Sequence, residues 1–251
     1  MIRVIPVLLL VEKGLYKTTN FKTPVYLGDP INAVRIYNEK EVDELVLLDI
    51  NASKNNTKPN FEYIKSIVSE SFMPVGYGGG INSIDDMKKL FDLGVEKVIL
   101  NTNAFDFDVI TKAASIYGNQ SIVACIDAKK SLFGSYSVYT KSGTIKHKIN
   151  PAEFAIQLKN AGVGEIIIQS IDAEGKMLGF DIELIEMVSK SVNIPVVATG
   201  GAGKFEDLLT AIDEGGASAV AAGSIFVFKG KLKGVLINYL NNEQLDIINN
   251  K

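Results

Sequence analysis

Residues 74–102 read PVGYGGGINSIDDMKKLFDLGVEKVILNT, and residues 195–224 read PVVATGGAGKFEDLLTAIDEGGASAVAAGS. The two stretches begin 121 positions apart in a chain of 251 residues, close to half its length. The same offset separates Glu44, ahead of LVLLDI, from Glu165, ahead of IIIQSI. Each long copy runs from a short apolar segment through a glycine cluster into an amphipathic segment. That is the order of a strand, a turn and a helix. A half-chain repeat of this kind is what a barrel made of two four-unit halves would show.

Outward from these copies, the same alternation fills the chain. Short β-branched runs occur at Arg3–Leu10, Glu44–Ile50, Met73–Tyr77, Lys97–Asn101, Ser121–Asp127, Glu165–Ser170, Pro195–Thr199 and Ser218–Ala222. They are almost continuously apolar, as strands buried on both faces are. Helical patterns lie between them. One spans Asn32–Lys40 behind Pro30, a favoured first-turn residue. Another starts at the cap Ser83, reaches about Leu93 and stops at Gly94. Eight strands alternating with eight helices predict parallel βα units, and eight is the number that closes a (β/α)8 TIM barrel. An open doubly wound sheet is the competing arrangement. Residues 1–251 are expected to form one such domain. Residues 131–150, SLFGSYSVYTKSGTIKHKIN, break the regular spacing and read as a hairpin inserted after the fifth strand.

Composition narrows the function. Apolar residues make up 47% of the chain, enough for one large core, and the formal net charge of -3 argues against a nucleic-acid binder. A single cysteine excludes an internal disulfide, and a cytoplasmic setting is expected. No apolar run approaches the roughly 20 residues that span a bilayer, so no membrane association is expected. The opening MIRVIPVLLLVEKG reads as a buried strand and not as a signal peptide. No cluster of metal ligands and no dinucleotide fingerprint stands out, so neither metal nor cofactor is expected; His147 is the only histidine.

The glycine clusters carry the chemistry. Gly78-Gly79-Gly80 and Gly200-Gly201 each end a strand and precede a helix. Glycine admits positive φ and close backbone approach, and a helix start offers unpaired N–H groups to an anion. One strand later in each half come Asn101-Thr102 and Gly223-Ser224, again at strand ends. Adjacent loops of this kind form the usual phosphate site of barrels. Two such corners predict a phosphorylated small-molecule substrate gripped at both ends.

At this point the chain resembles the HisF family, the cyclase subunit of imidazole glycerol phosphate synthase, and its sister isomerase HisA. The resemblance covers almost the whole chain. It rests on RVIP at Arg3–Pro6, GDP at Gly28–Pro30, DELVLLDI at Asp43–Ile50, YGGGI at Tyr77–Ile81, CIDAKK at Cys125–Lys130, GEIIIQSID at Gly164–Asp172 and ATGGAG at Ala198–Gly203. DELVLLDI and GEIIIQSID favour HisF over HisA. The resemblance implies a bis-phosphorylated ribosylamine-type substrate and ammonia delivered through the barrel by a HisH glutaminase partner. It also implies two aspartates as acid and base, at the ends of the first and fifth strands. The second matches Asp127. The first falls on Leu9, within Ile5-Pro6-Val7-Leu8-Leu9-Leu10 where the family reads I-P-C-L-D-V. Leucine cannot transfer a proton, and Glu12 lies three residues on, in the loop.

Further positions carry over one by one. Asp49 matches a second-strand aspartate and Lys17 a first-loop lysine. The S-I-D-R-D-G-T loop becomes Ser170-Ile171-Asp172-Ala173-Glu174-Gly175-Lys176 here, which points to a reshaped substrate pocket. At the opposite barrel end the resemblance implies an ammonia gate of Arg3, Glu44, Lys97 and Glu165, with all four residue types retained. The run from Arg3 to Leu10, followed by Lys17-Thr18, is similar to HisF-like proteins of acetamidino modification in surface-polysaccharide and flagellar-sugar pathways. There a HisF-like and a HisH-like protein work beside an amidotransferase. The expectation is therefore an ammonia-using synthase subunit for acetamidino formation on a nucleotide-linked amino sugar. The rivals are the histidine-pathway cyclase and a non-catalytic scaffold that activates a glutaminase.

Overall fold

The computed structural model describes residues 2–230 and 232–251. Its eight apolar runs become β1 (Arg3–Val11), β2 (Leu45–Asp49), β3 (Val75–Gly78), β4 (Lys97–Leu100), β5 (Ile122–Lys130), β6 (Glu165–Ser170), β7 (Val196–Thr199) and β8 (Ala219–Ala222). Each pairs in parallel with the next, and β8 pairs with β1, so the sheet closes on itself. Closure rules out the open doubly wound alternative and gives a (β/α)8 TIM barrel.

Helices α1 (Pro30–Glu39), α2 (Phe61–Val68), α3 (Ile84–Asp92), α4 (Phe107–Tyr117), α5 (Pro151–Ala161), α6 (Ile182–Ser189), α7 (Phe205–Asp213) and α8 (Asn242–Asn249) surround it. The first starts two residues before the reading from sequence, because the Asp29 side chain accepts the Ile31 N–H with Pro30 in the first turn. At α3, Ser83 Oγ accepts from Asp86 N, as a cap should. Among the described residues no helix is long and apolar enough to cross a membrane.

Strand alternation sorts the apolar residues into two layers. Val4, Leu8 and Leu10 of β1 and Leu45 and Leu47 of β2 face the helices. Ile5, Val7, Leu9, Val46, Ile99, Val123, Cys125, Ile167, Val197, Ala219 and Ala221 fill the lumen. The lumen is therefore stratified from the sequence upward. Arg3, Glu44, Lys97 and Glu165 stand at its floor, the aliphatic layer above them, and Leu9, Asn101, Asp127 and Gln169 at its top. Asn101 is four residue steps beyond Lys97, roughly 13 Å along the strand.

Two excursions decorate the C-terminal mouth. After β1, Gly14–Thr19 and Lys22–Gly28 form an antiparallel hairpin that the sequence reading missed. After β5, Tyr136–Thr140 pairs antiparallel with the β5 extension, and Ile145–Lys146 pairs with Tyr136–Thr140. His147 has a packing role there. Its ring stacks on Phe105 at 4.1 Å, and its Nε2 lies 2.8 Å from Thr140 Oγ1.

Candidate active site

A cavity of about 530 Å³ opens at the C-terminal ends of the strands. Its wall includes Leu9, Asp49, Gly79, Gly80, Asn101, Thr102, Asp127, Glu174, Gly200, Gly201, Gly223 and Ser224. Three of the residues expected to bind the substrate do not reach that wall. Asp172 accepts from Lys130 N at 3.1 Å and so ties neighbouring loops together. Gly175, with φ 74°, lets the Thr18 carbonyl pack against it. Lys17 is buried behind Glu174.

Asp127 is the chemically distinctive group. Alternation along β5 turns it into the lumen, where it is 7% exposed. Burial pushes its carboxyl up to about 7, and the nearby Glu174 charge adds to the rise. Hydrogen bonds from Cys125 Sγ (3.6 Å) and Asn101 Nδ2 (3.1 Å) act the other way. A carboxyl that titrates near neutrality can both give and take a proton. The same contacts set Cys125: burial and the adjacent Asp127 push its thiol well up, which makes it a poor nucleophile. The Asn101 amide is spent on Asp127 Oδ2 and the Cys125 carbonyl. No sequence signal pointed to these contacts, but strand alternation places Cys125 and Asp127 on one face. Across the barrel, β1 presents Leu9 to the same cavity, itself 8% exposed. Asp49 is held by N–H groups of Asn51 and Ala52, both at 3.0 Å, so its role is in part to cap its own loop.

The two glycine corners are built alike. A Cβ on Gly80 would run into the Thr57 carbonyl oxygen, and one on its repeat mate Gly201 into that of Gly179. Both have positive φ, 70° and 123°. Asp86 and Asp207 accept the N–H groups of Asn82 and Gly203 and so stiffen both loops. Asn101 and Gly223 precede four-residue helical turns, Thr102–Phe105 and Ser224–Val227, and have matching backbone angles. Those two are 122 residues apart, because Gly215-Gly216 replaces the single Gly94. Lys17 Nζ would lie 2.6 Å from a Cβ on Gly223, which puts an ammonium at the second corner. The inserted strands reach the first corner: Lys141 N donates to Thr102 Oγ1 at 3.3 Å, and Ser142 Oγ to the Ile50 carbonyl at 2.8 Å.

At the floor, Arg3 donates to both Glu44 and Glu165, and Lys97 Nζ reaches the same two carboxylates at 2.8 and 2.7 Å. The four side chains close a ring in which every charge meets two opposite ones. Burial works against ionisation of Glu165, but Arg3 and Lys97 together hold its carboxyl below the usual range. The ring and the cavity lie at opposite ends of one aliphatic lumen. Among the described residues, no group of three or more His, Cys, Asp or Glu side chains is placed to hold a metal.

A closed barrel of two matching halves, with a near-neutral carboxyl at its C-terminal mouth, has the form of the repeat-built (β/α)8 barrels. A family model of histidine biosynthesis proteins matches residues 3–233. The chain is 51% identical, over 98% of both chains, to a Pseudomonas aeruginosa protein named, with the assignment marked provisional, imidazole glycerol phosphate synthase subunit hisF2. It is 40% identical to imidazole glycerol phosphate synthase subunit HisF of Dehalococcoides mccartyi, over 98% of this chain and 97% of that one. It is 37% identical to the HisF subunit of Geobacillus thermodenitrificans, over 98% of each. The chain belongs to the HisF family and is an enzyme subunit of that type.

Proposed function

We propose that the chain takes ammonia from a HisH-like glutaminase seated at the ring end of the barrel. It uses that ammonia at the opposite mouth, on a phosphorylated substrate, for acetamidino formation on a nucleotide-linked amino sugar of surface polysaccharide or flagellin. The observation that carries this reading is Leu9. The chain retains the carboxyl at Asp127, the ring of Arg3, Glu44, Lys97 and Glu165, and both glycine corners. Opposite Asp127 it presents an aliphatic side chain where the ring-closing reaction uses a second acid–base group.

The chemistry fits that pattern. Replacing the carbonyl oxygen of an N-acetyl group by nitrogen needs a neutral amine, a path that keeps it dry, and a group to accept the surplus proton. The aliphatic lumen supplies the path and Asp127, titrating at about 7, the acceptor. The carbonyl oxygen leaves as phosphate after phosphorylation by a nucleoside triphosphate, a step we assign to the amidotransferase beside the pair. The near-neutral titration of Asp127 opposes a purely scaffolding role, for which a buried carboxyl is only a cost.

A second reading, the cyclase of histidine biosynthesis, is favoured by the names of the Dehalococcoides and Geobacillus relatives. Replacement of a deleted cyclase in a histidine auxotroph, with a HisH subunit co-expressed, separates the two. The acetamidino reading expects no growth without histidine; growth at the rate given by an intact HisF overturns it.

A further inference from the structure

The wall of the cavity carries more positive charge than the two glycine corners use. Lys22, Lys54 and Lys129 all line it, from the first-loop hairpin, the short helical turn after β2 and the end of β5. All three are exposed, and among the described residues none has a carboxylate within ion-pairing distance. Four other lysines of this face are engaged, Lys17 with Glu174, Lys58 with Asp86, Lys130 with Glu183 and Lys141 with Asn56, and Lys176 and Lys204 do not line the cavity. The acids of the wall are also committed, Asp49 to two backbone N–H groups, Glu174 to Lys17, Thr18 and Phe21 N, and Asp127 to Asn101 and Cys125. Among the described residues of the wall, no carboxylate is left to neutralise the three ammonium groups.

Their places differ. Lys54 follows Ser53, whose Oγ accepts the Gly80 N–H at 3.3 Å, so its backbone lies beside the first corner. Lys22 and Lys129 belong to neither. The first-loop turn crosses the mouth to the loop after β6, where Asn20 N donates to the Glu174 carbonyl at 3.0 Å and Asn20 Nδ2 to those of Ile171 and Asp172. Lys22 comes directly after this crossing. Lys129 stands two residues beyond Asp127 on β5, so alternation puts it on the same side, above the carboxyl.

We propose that Lys22 and Lys129 form a third anion subsite at the mouth, between the two corners, that takes the diphosphate of a nucleoside-diphosphate-linked substrate. A ligand with only two terminal phosphates would fill the corners and leave these charges idle. A pyrophosphate bridge brings charge to the middle of the molecule, where both lysines line the wall, each within two residues of one bonded to Asp172. The proposal rests on the nucleotide-linked substrate put forward above and gives it a place to bind.

Calorimetric titration of the full-length chain with uridine diphosphate and, separately, with inorganic phosphate tests it. Variants K22Q and K129Q, alone and together, remove charge from exposed side chains and leave the fold intact, as checked by thermal melting. The double variant is expected to bind uridine diphosphate at least roughly tenfold more weakly and to retain its affinity for inorganic phosphate. Unchanged affinity for uridine diphosphate in the double variant overturns the subsite, as does a wild-type chain that binds uridine diphosphate no better than phosphate. Either result leaves the auxotroph test untouched, so the subsite and the broader reading fail separately.

Discussion

Lys17 Nζ stands 3.5 Å from Glu174 Oε1, with both side chains buried, and the same ammonium lies against Gly223 at the second glycine corner. Burial pulls the lysine's titration down, while Glu174 pulls it back up. Glu174 also accepts from Thr18 Oγ1 at 3.0 Å and Phe21 N at 3.1 Å, so one carboxylate fastens the first-loop hairpin across the mouth. Substituting Glu174→Ala strands a buried ammonium and is expected to cost about 3–5 kcal/mol in denaturant unfolding. Phosphate should restore part of that loss by supplying the missing anion, more than it stabilises the wild type. A variant that unfolds like the wild type would show that the pair is not a fastener.

The buried carboxyl of Asp127 gives a pH signature. Its folded titration, about 7, lies above the ordinary 3.8, so the folded state binds the proton more tightly than the unfolded chain. Stability must then be highest below the unfolded value and fall as pH rises through about 7. The full span is on the order of 4 kcal/mol. Asp127→Asn should flatten this dependence between pH 5 and 8 and be more stable than wild type at pH 8, while losing activity. Parallel stability–pH curves for the two proteins would refute the assignment.

The repeat predicts independent corners. Gly201→Ala puts a Cβ against the Gly179 carbonyl at a φ of 123° and is expected to cost about 1–3 kcal/mol. Phosphate titration should then fall from two sites to one, the corner at Gly80 and Thr102 persisting. Loss of both sites would mean that the corners are coupled.

Lys97→Ala tests the ring. Arg3 still bridges Glu44 and Glu165 in its absence, so the fold should survive. Activity with added ammonium salts should stay near wild type, while activity driven by glutamine through a HisH-like partner should drop severalfold or become uncoupled from it. Equal loss of both activities in a folded variant would mean that the ring is not a gate.

Much of this was legible in the sequence, for reasons tied to particular residues. The barrel strands announce themselves because both faces are buried, and Ser83 and Gly94 bracket a helix that the structure places at Ile84–Asp92. The cavity residues follow from the repeat, because Gly79 and Gly80 map onto Gly200 and Gly201. The first-loop hairpin does not announce itself. Its two-residue turn is Asn20-Phe21, with φ of 52° and 60°, where a hairpin usually places Asn-Gly. Tertiary bonds from Asn20 to the Glu174, Ile171 and Asp172 carbonyls hold that conformation, and no local pattern encodes them. β5 runs three residues past the reading at Asp127, because Tyr136–Thr140 pairs with its end. The side-chain commitment of Asn101 to Asp127 likewise depends on two strands meeting.

On the function proposed above, Leu9 removes ring closure from a barrel that keeps Asp127, both glycine corners and the charged ring. Steady-state turnover of the bis-phosphorylated ribosylamine-type nucleotide, with ammonium salts and beside a HisF that carries the first-strand aspartate, tests it most directly. The expected rate is about 10²–10⁴-fold lower, the usual cost of one missing acid–base group, with Leu9→Asp raising it and Asp127→Asn abolishing what remains. Turnover by the unaltered chain at the rate of the aspartate-bearing HisF would contradict the account.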